Sequence, residues 1–301
     1  MNPEPPKDMP DTTSGGPDAR RSAVLVTVDE LVAALRASTR PVILAVRTAS
    51  PEAPLETWNR LERIPGSQDA DLATDLSGPG GGRAGSRPLP DLAVLQSAAR
   101  RWGVRDDSEV VVYDHEGGLQ AARAWWVLRW AGAARVRLLD GGFAGWQSAG
   151  LPTDFESAEP VAGDIVLTAG GMPEIDADAA LELASAGVLI DSRMSANYEG
   201  GTSAPGEPLR GHIPGAVSLP AAENLDASGH FLAADALRTS YAAIGADGSK
   251  PIGVYCGAGV SAAHDLLALA SIGLHAPMYV GSWSAWSADP SRPVARGPSP
   301  G

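Results

Sequence analysis

One cysteine, Cys256, stands in a chain of 301 residues. That scarcity excludes an internal disulfide, a cysteine-based zinc site and a C-x-x-C redox pair, so sulfur or redox chemistry at Cys256 needs an external thiol. Positive charge is also scarce, with 23 Lys and Arg against 36 Asp and Glu and a formal charge of -13. A nucleic-acid backbone would meet net repulsion, and no local basic patch offsets it. Long hydrophobic runs are missing too. Stretches such as "LLALASIGL" fall well short of the ~18 residues of a membrane helix, and the N-terminus has no apolar core of a signal peptide. The expectation is a soluble, cytoplasmic protein with neither a nucleic-acid nor a membrane partner.

What is present is enough apolar residue, 44%, to bury a full core in two domains. Residues 1–22 are rich in Pro, Gly, Ser and charge and read as a disordered tail. "LSGPGGGRAGSRPLP" at 76–90 reads as a long surface loop.

Four fragments recur in the same order. "VILAVR" (42–47) returns as "VLIDSR" (188–193), "RIPGS" (63–67) as "HIPGA" (212–216), "VVVYD" (110–114) as "IGVYC" (252–256), and "GGFAGW" (141–146) as "GSWSAW" (281–286). Ordered repetition of this kind is two copies of one fold with loop insertions between them. The domain reading is a tail at 1–22, a first copy at 23–150, a linker at 151–173, a second copy at 174–296 and a short tail at 297–301.

Each copy opens with a helix-spaced segment behind an acidic first turn, "VDELVAALRAS" or "DADAALELASA", followed by a strand-length apolar run. The runs "EVVVYD" and "PIGVYC" suit buried parallel strands, and the segments after them are helices closed near Gly132 and Gly273. Strand alternating with helix predicts an α/β fold, each domain a mostly parallel central sheet flanked by helices. Ligands of such sheets sit beyond the carboxyl ends of the strands, where Asp114 and Cys256 both fall.

Cysteine is often simply buried packing, so the position of Cys256 has to carry any functional reading. After it comes "GAGVS", Gly257, Ala258, Gly259, Val260 and Ser261, leading into a helix. Glycines there allow successive N–H groups to converge, and the helix adds free N–H groups and its positive dipole end. The result is an anion cradle around sulfur, a field that favours a thiolate nucleophile and needs neither a metal nor an organic cofactor.

The repeat together with "DSR", "GHIPGAVSLP", "VYCGAGVSAAH", "GSWSAWSADPSRPV" and "AARAWWVLRWAGAARVRLLDGGFAGW" resembles the tandem-domain rhodanese family of thiosulfate and 3-mercaptopyruvate sulfurtransferases, over residues 23–296. The resemblance implies two rhodanese-like domains, with the catalytic cysteine, Cys256, in the second and lost from the first, where Asp114 stands. It implies transfer of a sulfane sulfur from a small donor through a Cys256 persulfide to cyanide or a thiol, which includes a thioredoxin-like protein as acceptor. It also implies that Arg123 binds the donor's anionic group, a task that suits a guanidinium fork.

Arg193 is a weaker substrate-binding candidate, since Asp191 and Arg193 of "DSR" read first as an intradomain pair. Arg129 reads as structural or solvated, His212 as a structural loop histidine, and Tyr255, Trp283 and Trp286 as packing, with Trp283 placed to wall a pocket. Departures from the family pattern are Ala258 where mercaptopyruvate-type members carry Ser, Arg63 where His is usual and Ala45 where Asp is often found. The loop also lacks the basic side chains of thiosulfate-type members, which leaves the donor open.

Two rival readings remain. A cysteine phosphatase would need Arg at the position of Ala262 in C-x5-R, which argues against phosphoryl transfer. A catalytically degenerate binding or regulatory module would keep the scaffold and lose the chemistry.

Overall fold

The computed structural model describes residues 16–48, 58, 61–201 and 210–301. The first half runs α1 (Pro17–Ser22), β1 (Leu25–Val26), α2 (Val28–Leu35), β2 (Val42–Arg47), β3 (Gln68–Asp71), α3 (Leu92–Arg101), β4 (Val110–Tyr113), α4 (Leu119–Trp130), β5 (Val136–Leu139) and α5 (Gly142–Ser148). The second half runs β6 (Glu174–Ile175), α6 (Ala177–Ala186), β7 (Val188–Asp191), α7 (Ser195–Glu199), β8 (Val217–Ser218), α8 (Ala234–Ala243), β9 (Ile252–Tyr255), α9 (Ser261–Ser271), β10 (Met278–Tyr279) and α10 (Ser282–Ser287).

Two five-stranded sheets result, ordered β1-β5-β4-β2-β3 and β6-β10-β9-β7-β8. All their pairings are parallel and the order is the same in both halves. Register repeats as well, Val42 opposite Val110 in one sheet and Val188 opposite Ile252 in the other. The central strands β4 and β9 are buried at every residue, which is why they read as unbroken apolar runs rather than alternating ones.

Local signals start and stop the helices. Thr27 and Glu30 form a reciprocal capping box on α2, and the Asp176 carboxylate accepts from the Ala179 N–H at the start of α6. Beyond α4 and α9 the chain turns at Gly132 (φ 91) and Gly273 (φ 85), in the left-handed region that glycine enters without penalty.

Helices α4 and α9 are buried on every side from Ala121 and Ala262 onward, because each lies between its own sheet and the other half, and the two pack on each other. The turns that precede them, at Asp114 and Cys256, therefore lie close to the junction of the halves.

Part of the stretch read as a tail is ordered. The guanidinium of Arg21, at the end of α1, bonds the Asp140 carboxylate at 2.8 Å and the carbonyls of Phe231 at 2.9 Å and Leu232 at 2.8 Å. Its partners lie more than a hundred residues away, so composition near residue 20 does not reveal them; residues 1–15 lie outside the described residues. The last residues also dock, Pro300 accepting from the Gly215 N–H. The glycine-rich loop crosses to the second half, where the Ser86 N–H donates to Ser284 Oγ at 2.9 Å and Arg83 pairs with Asp289 at 3.1 Å. Among the described residues no helix is long and apolar enough to cross a membrane.

Candidate active site

Cys256 follows the last residue of β9, at the carboxyl end of the sheet, and is 1% exposed. Of the five loop amides, that of Gly259 donates to Sγ at 3.0 Å. Gly259 adopts φ +74, and a Cβ there would sit 2.9 Å from an Arg123 nitrogen and 3.1 Å from the Val280 carbonyl, so both backbone shape and close approach demand glycine. Among the described residues, the N–H groups of Gly257, Ala258, Val260 and Ser261 make no hydrogen bond within the protein. Those four residues form the half-exposed rim above a buried sulfur.

The first half shows what this turn does when filled. Asp114 stands in the place of Cys256, and its Oδ1 accepts from the N–H groups of Glu116 and Gly118, its Oδ2 from those of Gln120 and Ala121, all at 2.8–2.9 Å. Four donors on two oxygens are the pattern of a bound carboxylate, although burial by itself raises the pKa of this group. The strand–turn–helix unit around Asp114 directs four amides at one point. In the first half a side chain of the protein occupies it.

Arg123 projects from α4 of the first half to the cysteine loop and is fully buried. One Nη bonds the Gly259 carbonyl at 3.2 Å and the other bonds the carbonyls of Arg87 at 3.1 Å and Pro88 at 3.4 Å, while Nε has no partner. Burial lowers its pKa to about 10, with the proximity of Cys256 acting the other way. The guanidinium closes the floor of the loop and ties the glycine-rich strap to it.

Arg193 lies beside the rim of the loop. It pairs with Asp191, Nη2 to Oδ2 at 2.6 Å and Nε to Oδ1 at 2.9 Å, and also donates to the Gly211 carbonyl. Its guanidinium covers the Trp283 ring at 4.6 Å, and a Cβ on Gly257 would touch its Cδ at 3.9 Å. The pairing with Asp191 raises the Arg193 pKa against the opposing effect of burial. Trp283 thus carries the cation at one side of the loop while packing into the core below.

His212 is a structural loop histidine, Nδ1 on the Tyr198 carbonyl at 2.9 Å and the ring stacked on Tyr198 at 3.8 Å. Tyr255 is buried and its hydroxyl accepts from the Ile213 N–H, just as Tyr113 accepts from Ile64 in the first half. Arg129 is buried too, packed over Trp125, and burial lowers its pKa to about 10. Among the described residues no group of His, Cys, Asp and Glu could hold a metal ion.

Ser282 escaped sequence reasoning. It is the sole non-glycine residue with positive φ (52°) among the described residues, a costly conformation for a side chain. Its counterpart in the repeat is Gly142, with φ 55. Ser282 Oγ accepts from the Cys256 N–H at 3.2 Å, donates to the Tyr279 carbonyl at 2.9 Å and lies 4.0 Å from Sγ. The available signal was serine against glycine in "GSWSAW" and "GGFAGW".

The model of the Rhodanese-like domain matches residues 27–149 and again 176–289. The chain belongs to the rhodanese family. SseB of Mycobacterium tuberculosis is 40% identical over 283 residues, covering 92% of this chain and 98% of that protein. The 3-mercaptopyruvate sulfurtransferase of Escherichia coli is 36% identical over 212 residues, 68% of this chain and 74% of that protein. The crystal structure of SseA from Escherichia coli, described as showing the "Rhodanese" fold of 3-mercaptopyruvate sulfotransferases, superposes with a TM-score of 0.74 at 30% identity, over 86% of this chain and 98% of that one.

Proposed function

We propose that this member of the rhodanese family is a sulfurtransferase that works through a persulfide on Cys256. The Cys256 thiolate attacks the sulfane sulfur of thiosulfate or 3-mercaptopyruvate. An S–S bond forms, and the bond from that sulfur to the rest of the donor breaks, releasing sulfite in one case and pyruvate, as an enolate that takes up a proton, in the other. A thiophile then attacks the outer sulfur: cyanide leaves as thiocyanate, a thiol leaves as its own persulfide, and Cys256 returns as thiolate.

The observation that carries this reading is the pair of equivalent turns. Four amides hold the Asp114 carboxylate, while around Cys256 the loop amides other than that of Gly259 have no partner among the described residues. A persulfide is an anion longer than a thiolate, so its outer sulfur would reach the donors that Sγ leaves unused. Arg123 would add positive charge below the loop, and Arg193, stacked on Trp283, would meet the donor's carboxylate or sulfonate-like group at the rim. Gly257 and Ala258 supply neither the basic side chains of thiosulfate-type members nor the serine of mercaptopyruvate-type members, so the proposal takes either donor.

Mass spectrometry after incubation with each donor tests the proposal. The expected result is one added sulfur on Cys256, removed by cyanide and absent in Cys256→Ser. No added sulfur with any sulfane donor would leave a binding or regulatory module on the same scaffold. Parallel rates with thiosulfate and 3-mercaptopyruvate then identify the donor.

A further inference from the structure

We propose that Arg123 is a positioning residue for sulfur transfer: it holds the Gly259 carbonyl from the other half and so aims the N–H of the same peptide, that of Val260, at the outer sulfur of the Cys256 persulfide. This rests on the sulfurtransferase reading above and gives Arg123 a task other than contact with the donor.

Arg123 is 0% exposed, and its three hydrogen bonds all go to main-chain carbonyls, those of Gly259 at 3.2 Å, Arg87 at 3.1 Å and Pro88 at 3.4 Å. Gly259 stands between the nucleophile and the guanidinium, its N–H on Sγ at 3.0 Å and its C=O on Nη1. A peptide is planar and trans, so its C=O and N–H point in opposite directions. Holding the Gly259 carbonyl toward the first half turns the Val260 N–H away from that half. This N–H bonds no group among the described residues.

The turn of the first half shows the equivalent peptide with its anion in place. Gly117 stands three residues after Asp114 as Gly259 stands three after Cys256, with φ +70 against +74. The helix that follows each turn reaches the other turn. His264 of α9 meets the Gly117 carbonyl through Nε2 at 3.3 Å, and since its Nδ1 faces the Asn224 amide donor at 3.3 Å, Nε2 carries the proton. At the other end of that peptide the Gly118 N–H donates to Asp114 Oδ1 at 2.8 Å. One peptide thus has its carbonyl held by the other half and its amide on the anion. At the cysteine turn the carbonyl is held in the same way, and the persulfide would meet the amide.

The exchange of imidazole for guanidinium strengthens the effect. Burial lowers the His264 pKa to about 4 and leaves the ring neutral, whereas Arg123, lowered by burial to about 10, stays charged at neutral pH. A cation on the carbonyl polarises the peptide and makes its N–H a stronger donor. The sulfur under attack becomes the outer sulfur, so the amide that holds the product also meets the transition state.

The test follows the Val260 amide by NMR in protein labelled with 15N-valine, its resonance identified as the one lost in Val260→Ile. Conversion to the persulfide, with excess donor removed, should move that amide proton downfield in wild type and leave it in place in Cys256→Ser. In Arg123→Met the shift should be smaller. Single-turnover kinetics separate positioning from donor contact: in Arg123→Met the limiting rate of persulfide formation should fall about tenfold, the worth of one hydrogen bond, with the half-saturating donor concentration nearly unchanged. Val260→Pro removes the one N–H and leaves Arg123 in place, so it carries the same kinetic expectation should Arg123→Met fail to fold. The inference is overturned if persulfide forms and the Val260 amide does not move, if the shift is as large in Arg123→Met as in wild type, or if Val260→Pro keeps the wild-type limiting rate. A raised half-saturating concentration with an unchanged limiting rate in Arg123→Met would return Arg123 to contact with the donor and overturn it too. Absence of persulfide in wild type with every sulfane donor would overturn the sulfurtransferase reading, and this inference with it.

Discussion

Asp114 and Cys256 occupy the same turn in the two halves of the molecule; four amides bond the first, and among the described residues the Gly259 amide is the one from the following loop that bonds the second. One copy of the fold is closed by its own Asp114 side chain, and under the proposed function the other offers its donors to the persulfide. Replacing Asp114 by Ala would leave four N–H groups without their acceptor, of which those of Gly118 and Ala121 are buried, each buried one costing on the order of 1 kcal/mol. A total loss of about 2 kcal/mol is expected in urea unfolding. A loss below about 1 kcal/mol would mean that water satisfies those amides and that the carboxylate is not what closes the turn.

Ser282 sets backbone strain against a bond to the nucleophile's own N–H. Ser282→Gly relieves the left-handed conformation, as Gly142 does in the first half, while Ser282→Ala keeps the strain and loses the hydroxyl. The glycine variant should be the more stable of the two by about 1 kcal/mol. Both should lose roughly tenfold in kcat/KM, the worth of one hydrogen bond. Equal activity in Ser282→Gly and wild type would assign the hydroxyl to packing alone.

Arg123 bonds three carbonyls from two segments. Arg123→Ala should lower kcat/KM by the equivalent of about 2–4 kcal/mol and also lower the unfolding midpoint, since a buried charged contact spanning the halves is lost. Arg123→Lys should rescue little, because an ammonium lacks the planar fork that reaches Gly259, Arg87 and Pro88 together. Kinetics in Arg123→Lys equal to wild type would show that charge alone is used.

His264 and Asp265 give opposite slopes of stability with pH. The folded protein holds His264 neutral, its pKa lowered to about 4 from an ordinary 6.5, so the unfolded chain binds more protons between those values and stability falls as pH drops through that window. The full effect is about 3 kcal/mol. Asp265, raised to about 7 from 3.8, makes the folded state bind the extra proton, so its contribution is complete at low pH and is lost as pH rises through about 7. The two windows overlap between about pH 4 and 6.5 and oppose each other, so in denaturation series over that range stability should fall with rising pH in His264→Gln and rise with pH in Asp265→Asn, relative to a flatter wild type. Unchanged slopes in either variant would mean that the group is hydrated in the folded state.

The duplicated α/β architecture was legible because it rests on local, linear signals: buried strand runs such as "VVVY" and "IGVY", capped helices, and fragments that recur in order. Cys256 was legible for the same reason, standing between a strand and a glycine turn. The Asp191–Arg193 pair was legible as neighbours in sequence, though nothing in "DSR" says that Arg193 would cover Trp283 beside Gly257. Arg123 was found by resemblance, and the strap of carbonyls that surrounds it was not foreseen, because Arg87 and Pro88 sit in a loop read as bare surface.

The amino-acid order by itself determined two copies of a parallel sheet and which copy carries the sulfur, since strand length, helix period and the exchange of Cys256 for Asp114 are properties of the chain read in one direction. Folding decided what surrounds that sulfur: Ser282 in a conformation reserved for glycine with its hydroxyl on the Cys256 N–H, and Arg123 arriving from the other half to the Gly259 carbonyl. Those contacts join positions 26 and 136 apart in the chain. Separations of that size follow from how helices pack on sheets and on each other, not from any local pattern.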